Sequence, residues 1–240
     1  MTDDRLRTPY TLDVDEAVAA IRAMNASRAA SAGDWLLHGA FPDLVTSLET
    51  NTLAERVILV DGLWGTNLAM ERGAADRIIE NLVLNKGRLL DLVARLTEDA
   101  LESKPEEVWR ITEQAMPVIL EQSSERNSDY RENLSFATKF FHWCTRRHFP
   151  IVDKNARARI NALQKSVGVR PVIRAYPPDK GKRLGEYRLW IEFYSDLIHG
   201  LGLDDRRRLE KGDYDSLPSR YRFSNSLLRI LDKYFWWWGG

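Results

Sequence analysis

Residues 135–155 read SFATKFFHWCTRRHFPIVDKN, and this stretch decides the fold. Three of its aromatic side chains recur at helical spacing: Phe136, Phe140 and Trp143. This spacing predicts a buried helix over residues 135–146. Pro150 stops any continuation of that helix, and Asp153 is a suitable N-cap for a second helix that ends near residue 165. The stretch therefore predicts two helices joined by a tight reversal, which returns Asp153 toward the first helix.

Most of the remaining chain also favours helices. Apolar residues recur at helical spacing in seven further segments: 13–31, 52–65, one that begins near 73, 86–102, 105–122, 186–200 and 224–238. Residues 167–185 instead combine valines with prolines and glycines, which favours a short strand pair or an irregular loop. A total of about eight helices with hardly any strand predicts an all-α fold.

The size and composition of the chain suit a globular protein. Its 240 residues, of which 44% are hydrophobic, are expected to form a single unit over residues 1–240, with or without a division into two helical subdomains. In a divided unit, residues 52–165 would form a central subdomain that contains the candidate site. The helices of residues 186–240 would then pack back on it.

Cysteine usage and apolar runs exclude several classes of protein. The lone Cys144 cannot form an internal disulfide or a cysteine zinc cage. The longest apolar runs are far shorter than the ~20 residues that span a bilayer, and the N-terminus carries no readable secretory signal. We therefore expect a cytoplasmic protein with no membrane partner.

The charges are balanced overall but divided unevenly along the chain. Residues 1–138 carry 14 basic and 24 acidic side chains, whereas residues 139–240 carry 21 basic and 11 acidic ones. One interpretation is that the basic half faces a polyanion. The other is that the two halves attract each other across an internal interface.

The one unusual chemical feature is a lysine within the aromatic helix. The chain has no glycine-rich phosphate loop and no metalloprotease or serine-hydrolase motif, and its four histidines are scattered, so neither a metal nor another cofactor is expected. Lys139 needs a partner because burying a lone ammonium group is costly, and Asp153 is the nearest candidate. Such a pair is either a structural salt bridge or a nucleophile beside its acid–base partner.

Residues 135–159 resemble the helix-hairpin-helix DNA glycosylase superfamily, and within it the bacterial 8-oxoguanine-DNA-glycosylase-like group. In that superfamily a lysine opens one helix after a hairpin, and an aspartate in a Pro-hydrophobic-Asp context opens the next. Lys139 and residues 150–153 (PIVD) match these two positions. Residues 60–67 (VDGLWGTN) and 231–236 (LDKYFW) look like further parts of the same group.

The resemblance implies a glycosylase fold and an enzyme that flips a modified or oxidised purine out of duplex DNA. Lys139 would attack C1′ of the flipped sugar and form a Schiff base, with strand cleavage as a further activity. Asp153 would stabilise the cationic sugar and assist the proton transfers. The implied substrate-binding residues are Trp143, His142, Asn67, Phe235 and Trp236. The implied contacts to the nucleic-acid backbone are Arg146, Arg157, Arg159 and Asn155.

The chain also departs from the family pattern. The family's hairpin carries glycines before the lysine, but the equivalent residues 133–137 here read NLSFA. Specificity for 8-oxoguanine does not carry over, and the substrate strand is DNA or RNA. Two alternatives to a glycosylase follow: a nucleic-acid-binding module without catalysis, and a hydrolase of modified nucleosides.

Overall fold

The structure, a computed structural model, describes residues 10–41, 50–66, 73–119, 130–168 and 180–237. Within these ranges the chain forms twelve α-helices and one 3-10 turn (Ser219–Tyr221), with no strand. The helices are α1 (Val14–Ala26), α2 (Arg28–Ala40), α3 (Thr50–Trp64), α4 (Ala74–Leu84), α5 (Lys86–Ala94), α6 (Ala100–Ser103), α7 (Pro105–Ile119), α8 (Tyr130–Cys144), α9 (Lys154–Ser166), α10 (Lys180–Gly200), α11 (Leu203–Ser216) and α12 (Leu227–Trp236). The all-α prediction is confirmed, whereas the expected total of about eight helices is too low.

Two predicted helices are each divided, which explains part of this difference. The predicted helix over 13–31 breaks at Ser27, which has an extended backbone and accepts a hydrogen bond from the Ala30 N–H at 3.5 Å. Ser27 therefore ends α1 and caps α2, which then continues past residues 31–34 to Ala40. The predicted helix over 86–102 is likewise divided between α5 and α6.

One helix was not predicted from the sequence, and one predicted segment is partly wrong. Helix α11 (LDDRRRLEKGDYDS) is so rich in charged residues that it lacks the apolar periodicity on which the other helices were predicted. The strand pair expected near residues 167–185 is wrong for 180–185, which form the first turns of α10. Residues 169–179 lie outside the described part of the chain.

Helix α12 is the element around which the candidate site is assembled. It packs against α1, α9 and α11, and every residue from 228 to 235 is buried. Helix α2 contacts both α1 and α3, while α8 packs against α3 and α7. None of the helices in the described ranges combines the length and the apolar character needed to cross a membrane.

The reversal between α8 and α9 has the predicted form. Two consecutive residues, Arg146 and Arg147, turn the chain in the left-handed conformation, with φ angles of 55° and 69°. The Thr138 hydroxyl oxygen then accepts a hydrogen bond from the Val152 N–H at 3.2 Å. This bond ties residues 150–153 to the side of α8.

The uneven charges are used in part to join the two halves of the chain. Five arginines of the basic half pair with carboxylates of the acidic half: Arg159 with Glu16, Arg188 with Glu106, Arg206 with Glu102, Arg208 with Asp15 and Arg229 with Asp34. These pairs support the second interpretation of the charge asymmetry.

The contact between α1 and α11 predicts a strong difference between two glycines. A Cβ atom built on Gly212 would lie 2.9 Å from Val18 Cγ1, whereas one built on Gly39 in α2 would meet nothing within 4 Å. We expect Gly212→Ala to lower the free energy of unfolding by about 1–3 kcal/mol because the helices must separate. Gly39→Ala should raise it by up to about 1 kcal/mol through helix propensity.

Urea unfolding of the two variants measures this difference. Adding Val18→Ala to Gly212→Ala should recover part of the loss, because it removes the methyl groups that the new Cβ meets. Equal stabilities for the two glycine variants would show that α1 and α11 do not pack at this distance.

Candidate active site

Lys139 and Asp153 meet as the sequence predicted. The Lys139 ammonium nitrogen (Nζ) lies 3.3 Å from Asp153 Oδ2, and the two side chains are only 6% and 13% exposed. Nζ also donates a hydrogen bond to the Trp64 carbonyl at 3.0 Å. Lys139 lies in the second half of α8, whereas the family resemblance implies a lysine that opens a helix.

The Trp64 carbonyl is free to accept this bond because α3 ends there. Gly65 follows in the left-handed conformation, with φ 56°, and such a residue commonly terminates a helix. The last carbonyls of a helix have no partner within the helix, and a positive charge beside them is favourable. The end of α3 and the loop that carries Asp153 therefore both hold the Lys139 amine in place.

Asp153 is held at the start of α9 as the predicted N-cap. Its Oδ1 accepts a hydrogen bond from the Asn155 N–H at 2.7 Å, which leaves Oδ2 for Lys139. The two oxygens thus have separate tasks, one structural and one directed at the amine. Capping fixes the direction of the carboxylate without using the oxygen that faces Lys139.

Both residues line a cavity of about 330 Å³. This volume lies at the lower end of the range for small-molecule sites, roughly 300–1,000 Å³. Besides Lys139 and Asp153, the lining residues are Met24, Ala29, Ala30, Gly33, Asp34, Leu63, Trp64, Gly65, Ile151, Arg229, Asp232 and Trp236. The cavity is therefore enclosed by α1, α2, α3, α8, α12 and the loop before α9.

A buried salt bridge lies along one wall of the cavity. The Arg229 guanidinium donates to both oxygens of Asp34, at 2.7 and 2.9 Å, and also to Asp232 Oδ2. Burial alone would lower the pKa of Arg229, but the charges of Asp34 and Asp232 raise it above its usual value. The guanidinium also stacks 4.7 Å from the centre of the Trp64 ring.

A second buried cation lies behind this wall. Lys233 Nζ is 2.7 Å from Asp213 Oδ1 and 3.7 Å from Asp34 Oδ2, and it donates to Asn25 Oδ1 at 3.0 Å. Burial acts to raise the pKa of Asp213, but Lys233 lowers it below its usual value. Five charged side chains from α2, α11 and α12 thus share one buried network: Asp34, Asp213, Arg229, Asp232 and Lys233.

Asp232 is the member of this network that has spare hydrogen-bonding capacity. Its Oδ1 is buried and has no hydrogen-bond partner, although its Oδ2 is bonded to Arg229. Burial raises the pKa of Asp232 to about 6, with Arg229 acting in the opposite sense. An unpaired buried oxygen is costly, so a donor supplied by a ligand in the cavity would be bound favourably.

Of the aromatic residues predicted to bind substrate, Trp236 lines the cavity and three others do not. Trp236 is 39% exposed. Trp143 packs in the core against Trp64, with ring centres 5.6 Å apart, and Phe235 is fully buried among other aromatic rings. His142 is fully buried as well, and Asn67 lies outside the described residues.

His142 acts within the hairpin. Its Nδ1 donates to the Phe149 carbonyl at 2.6 Å, since a carbonyl oxygen only accepts. Burial lowers the pKa of His142 well below its usual value, so the ring is neutral. We conclude that His142 positions the loop before Asp153.

The predicted backbone-binding residues differ in their exposure. Arg159 pairs with Glu16 and stacks 4.2 Å from the centre of the Tyr234 ring, which commits it to an internal contact. Arg146 and Asn155 are exposed on either side of the reversal, and Arg157 is half-buried.

The cavity contains four functional residues that sequence reasoning did not select: Asp34, Trp64, Arg229 and Asp232. Three of them are charged, and α12 carries two of these, together with the charged Lys233, among buried apolar residues. A charged pair three residues apart on an otherwise buried helix is the sequence signal that identifies Arg229 and Asp232. Nothing in the local sequence identifies Asp34 as their partner.

Comparison of the chain with models of protein families, with curated proteins and with solved structures finds no match. Among the described residues, no group of three or more histidine, cysteine, aspartate or glutamate side chains is arranged to hold a metal ion.

The raised pKa of Asp232 predicts a pH-dependent stability difference. The folded state binds more protons than the unfolded state between the unfolded value of 3.8 and the folded value of about 6, so the wild type loses stability as pH rises through this window. Asparagine does not titrate. We expect Asp232→Asn to gain about 2 kcal/mol relative to the wild type between about pH 4.5 and 7.5.

Chemical denaturation across this pH range measures the gain. Asp213→Asn is the matched control because the pKa of Asp213 is lowered and its titration falls below the window. Its stability difference from the wild type should stay nearly constant. A constant difference for Asp232→Asn as well would contradict a raised pKa at this position.

Proposed function

We propose that the chain is a DNA N-glycosylase that holds a flipped, modified purine in this cavity and uses Lys139 as its nucleophile. The observation that carries the proposal is the buried Lys139–Asp153 pair at the wall of a cavity that also presents an unpaired carboxylate oxygen. The resemblance of residues 135–159 to helix-hairpin-helix glycosylases supports the same reaction.

The chemical step requires Lys139 as a neutral amine, and Asp153 is the group that can take its proton across 3.3 Å. The nitrogen lone pair then bonds to C1′ of the sugar while the electron pair of the bond from C1′ to the base leaves with the base. Asp153 returns the proton to the departing base. The C1′–O4′ bond of the sugar ring then breaks with its electron pair going to O4′, one of the two protons on the attached nitrogen passes to O4′, and the nitrogen lone pair forms the C1′=N bond of a protonated Schiff base.

The remaining lining residues can bind the base. The ring of Trp236 offers an apolar face for stacking, which is favourable for any base, whereas the Trp64 ring is already covered by Arg229. Asp232 Oδ1 can accept a hydrogen bond from an N–H group on the edge of the base. The base that fits best therefore presents a hydrogen-bond donor toward α12. Any modified purine with an N–H group on that edge meets this condition.

Trapping with borohydride tests the proposal. The purified protein is incubated with duplex DNA that carries each of a panel of oxidised and alkylated purines, and covalent adducts and released bases are measured. Lys139→Gln should abolish the adduct and lower base release by at least ~10²-fold because the nucleophile is gone. Asp153→Asn should lower base release to a similar extent.

Lys86→Gln is the matched control, since Lys86 is an exposed lysine on α5, remote from the lining residues in sequence. The Lys86→Gln variant should form the covalent adduct and release the base as the wild type does. Normal base release by Lys139→Gln would remove the lysine from the mechanism. Tight duplex binding without base release from any substrate would replace the proposal with a binding module, and release from free nucleosides alone would replace it with a nucleoside hydrolase.

A further inference from the structure

A surface outside the cavity combines exposed aromatic rings with arginines. Residues 219–223, between α11 and α12, read SRYRF. Three of these residues, Arg220, Tyr221 and Arg222, lie beside Trp35 of α2 and Tyr214 of α11. We call these five residues the Arg–aromatic strip. Trp35 is 43% exposed and Tyr214 is 44% exposed, which is unusual for such large rings.

The members of the strip contact one another through ring faces. The guanidinium of Arg220 lies 5.7 Å from the centre of the Tyr221 ring, and that of Arg222 lies 5.3 Å from the centre of the Tyr214 ring. The Tyr221 and Trp35 rings are 5.9 Å apart, with their planes inclined by 50°. A guanidinium stacked on a ring keeps its N–H groups available at the edge.

These two arginines differ from the five that join the halves of the chain. Within the described part of the molecule, neither Arg220 nor Arg222 forms a salt bridge with a carboxylate, and both are exposed. The hydrogen bond from Lys211 lowers the pKa of Asp215, with a smaller contribution from the charge of Arg222, and Asp215 is paired with Lys211 at 2.5 Å. The strip thus carries two positive charges that the fold does not neutralise by direct pairing.

The strip is rigidly attached to the body of the protein. Arg147 donates to the Ser224 carbonyl at 3.1 Å, and the Ser226 hydroxyl donates to the Arg147 carbonyl at 2.5 Å. The Phe223 ring stacks on His38 of α2, with centres 4.4 Å apart and planes inclined by 8°. These hydrogen bonds and this ring contact preorganise the segment between α11 and α12, which lowers the entropy cost of binding a ligand.

The strip and the cavity lie on neighbouring faces of α2. Asp34 lines the cavity, and Trp35 is the next residue of the helix. Adjacent residues of an α-helix point about 100° apart, so the two surfaces are separated by part of one helix circumference. No residue of the strip lines the cavity.

We propose that the Arg–aromatic strip binds an unpaired nucleic-acid strand. Bases stack on Trp35 and Tyr214, and phosphates pair with Arg220 and Arg222. Each nucleotide supplies one ring and one negative charge, and the strip offers both kinds of partner side by side. An acidic peptide would satisfy the arginines but leave the rings uncovered. The proposal does not depend on base excision in the cavity.

Fluorescence anisotropy with a labelled oligothymidine of about 20 nucleotides tests the proposal across a range of salt concentrations. Arg220→Gln combined with Arg222→Gln should weaken binding and reduce the slope of log affinity against log salt by about 1.4, because two phosphate contacts are lost. Trp35→Ala should lower the affinity about five-fold or more with little change in that slope.

Two exposed residues of α11 provide matched controls. Arg207 is 76% exposed at its side chain and Leu203 is 71% exposed. Arg207→Gln and Leu203→Ala should leave binding unchanged. Thermal unfolding of every variant separates loss of binding from loss of folding. The arginine variants test the strand-binding proposal without removing any packed ring.

Three results would overturn the proposal. One is unchanged affinity for the oligothymidine in the arginine and Trp35 variants. Another is equal binding of a duplex of the same length with no effect of Trp35→Ala, which would indicate phosphate contact alone. The third is displacement of the oligothymidine by polyglutamate of equal charge, which would indicate an acidic protein partner.

The Lys139→Gln variant should retain strand binding whether or not the cavity excises bases. A failure of the strand-binding proposal can therefore be distinguished from a failure of the glycosylase proposal.

Discussion

The buried contact between Arg229 and Asp34 is the constraint on which the rest of the structure depends. It joins α12 to α2, and the same guanidinium binds Asp232 and covers Trp64 at the end of α3. Lys233 extends the network to Asp213 of α11 and Asn25 of α1. Removing one partner of a buried ion pair typically costs about 3–5 kcal/mol, because the other charge is left without compensation. The walls of the cavity are thus held together by charges, and one carboxylate oxygen of that network, Asp232 Oδ1, has no hydrogen-bond partner.

The parts of this architecture that depend on local sequence were predictable. Asp153 is an N-cap at the end of a proline-stopped reversal, and Lys139 lies in an aromatic helix beside it, so their meeting follows from the turn between them. The helices with apolar periodicity were predicted for the same reason. The helix α11 was not, because its stability comes from packing its few buried positions, such as Leu209, against α1 and from ion pairs rather than from a broad apolar face.

The parts that depend on contacts distant in sequence were not predictable. Trp64 and Trp143 both lie on apolar helices, and only the way in which α3 and α8 pack decides that Trp64 lines the cavity while Trp143 fills the core. Asp34 lies beyond the predicted helix over 13–31, and its role arises from its partner Arg229 on α12. The charge asymmetry had two interpretations, and the arginine–carboxylate pairs between the two halves account for only some of the basic residues.

Ser226 connects the two surfaces described above. Its hydroxyl oxygen accepts the Arg229 N–H at 3.2 Å as the N-cap of α12, and the same hydroxyl donates to the Arg147 carbonyl. The segment that carries the Arg–aromatic strip therefore ends at the residue where the helix of Arg229 and Asp232 begins. A ligand on the strip and a ligand in the cavity are thermodynamically coupled when the affinity of each depends on the position of Ser226. By reciprocity, the free energy of that coupling is the same in both directions.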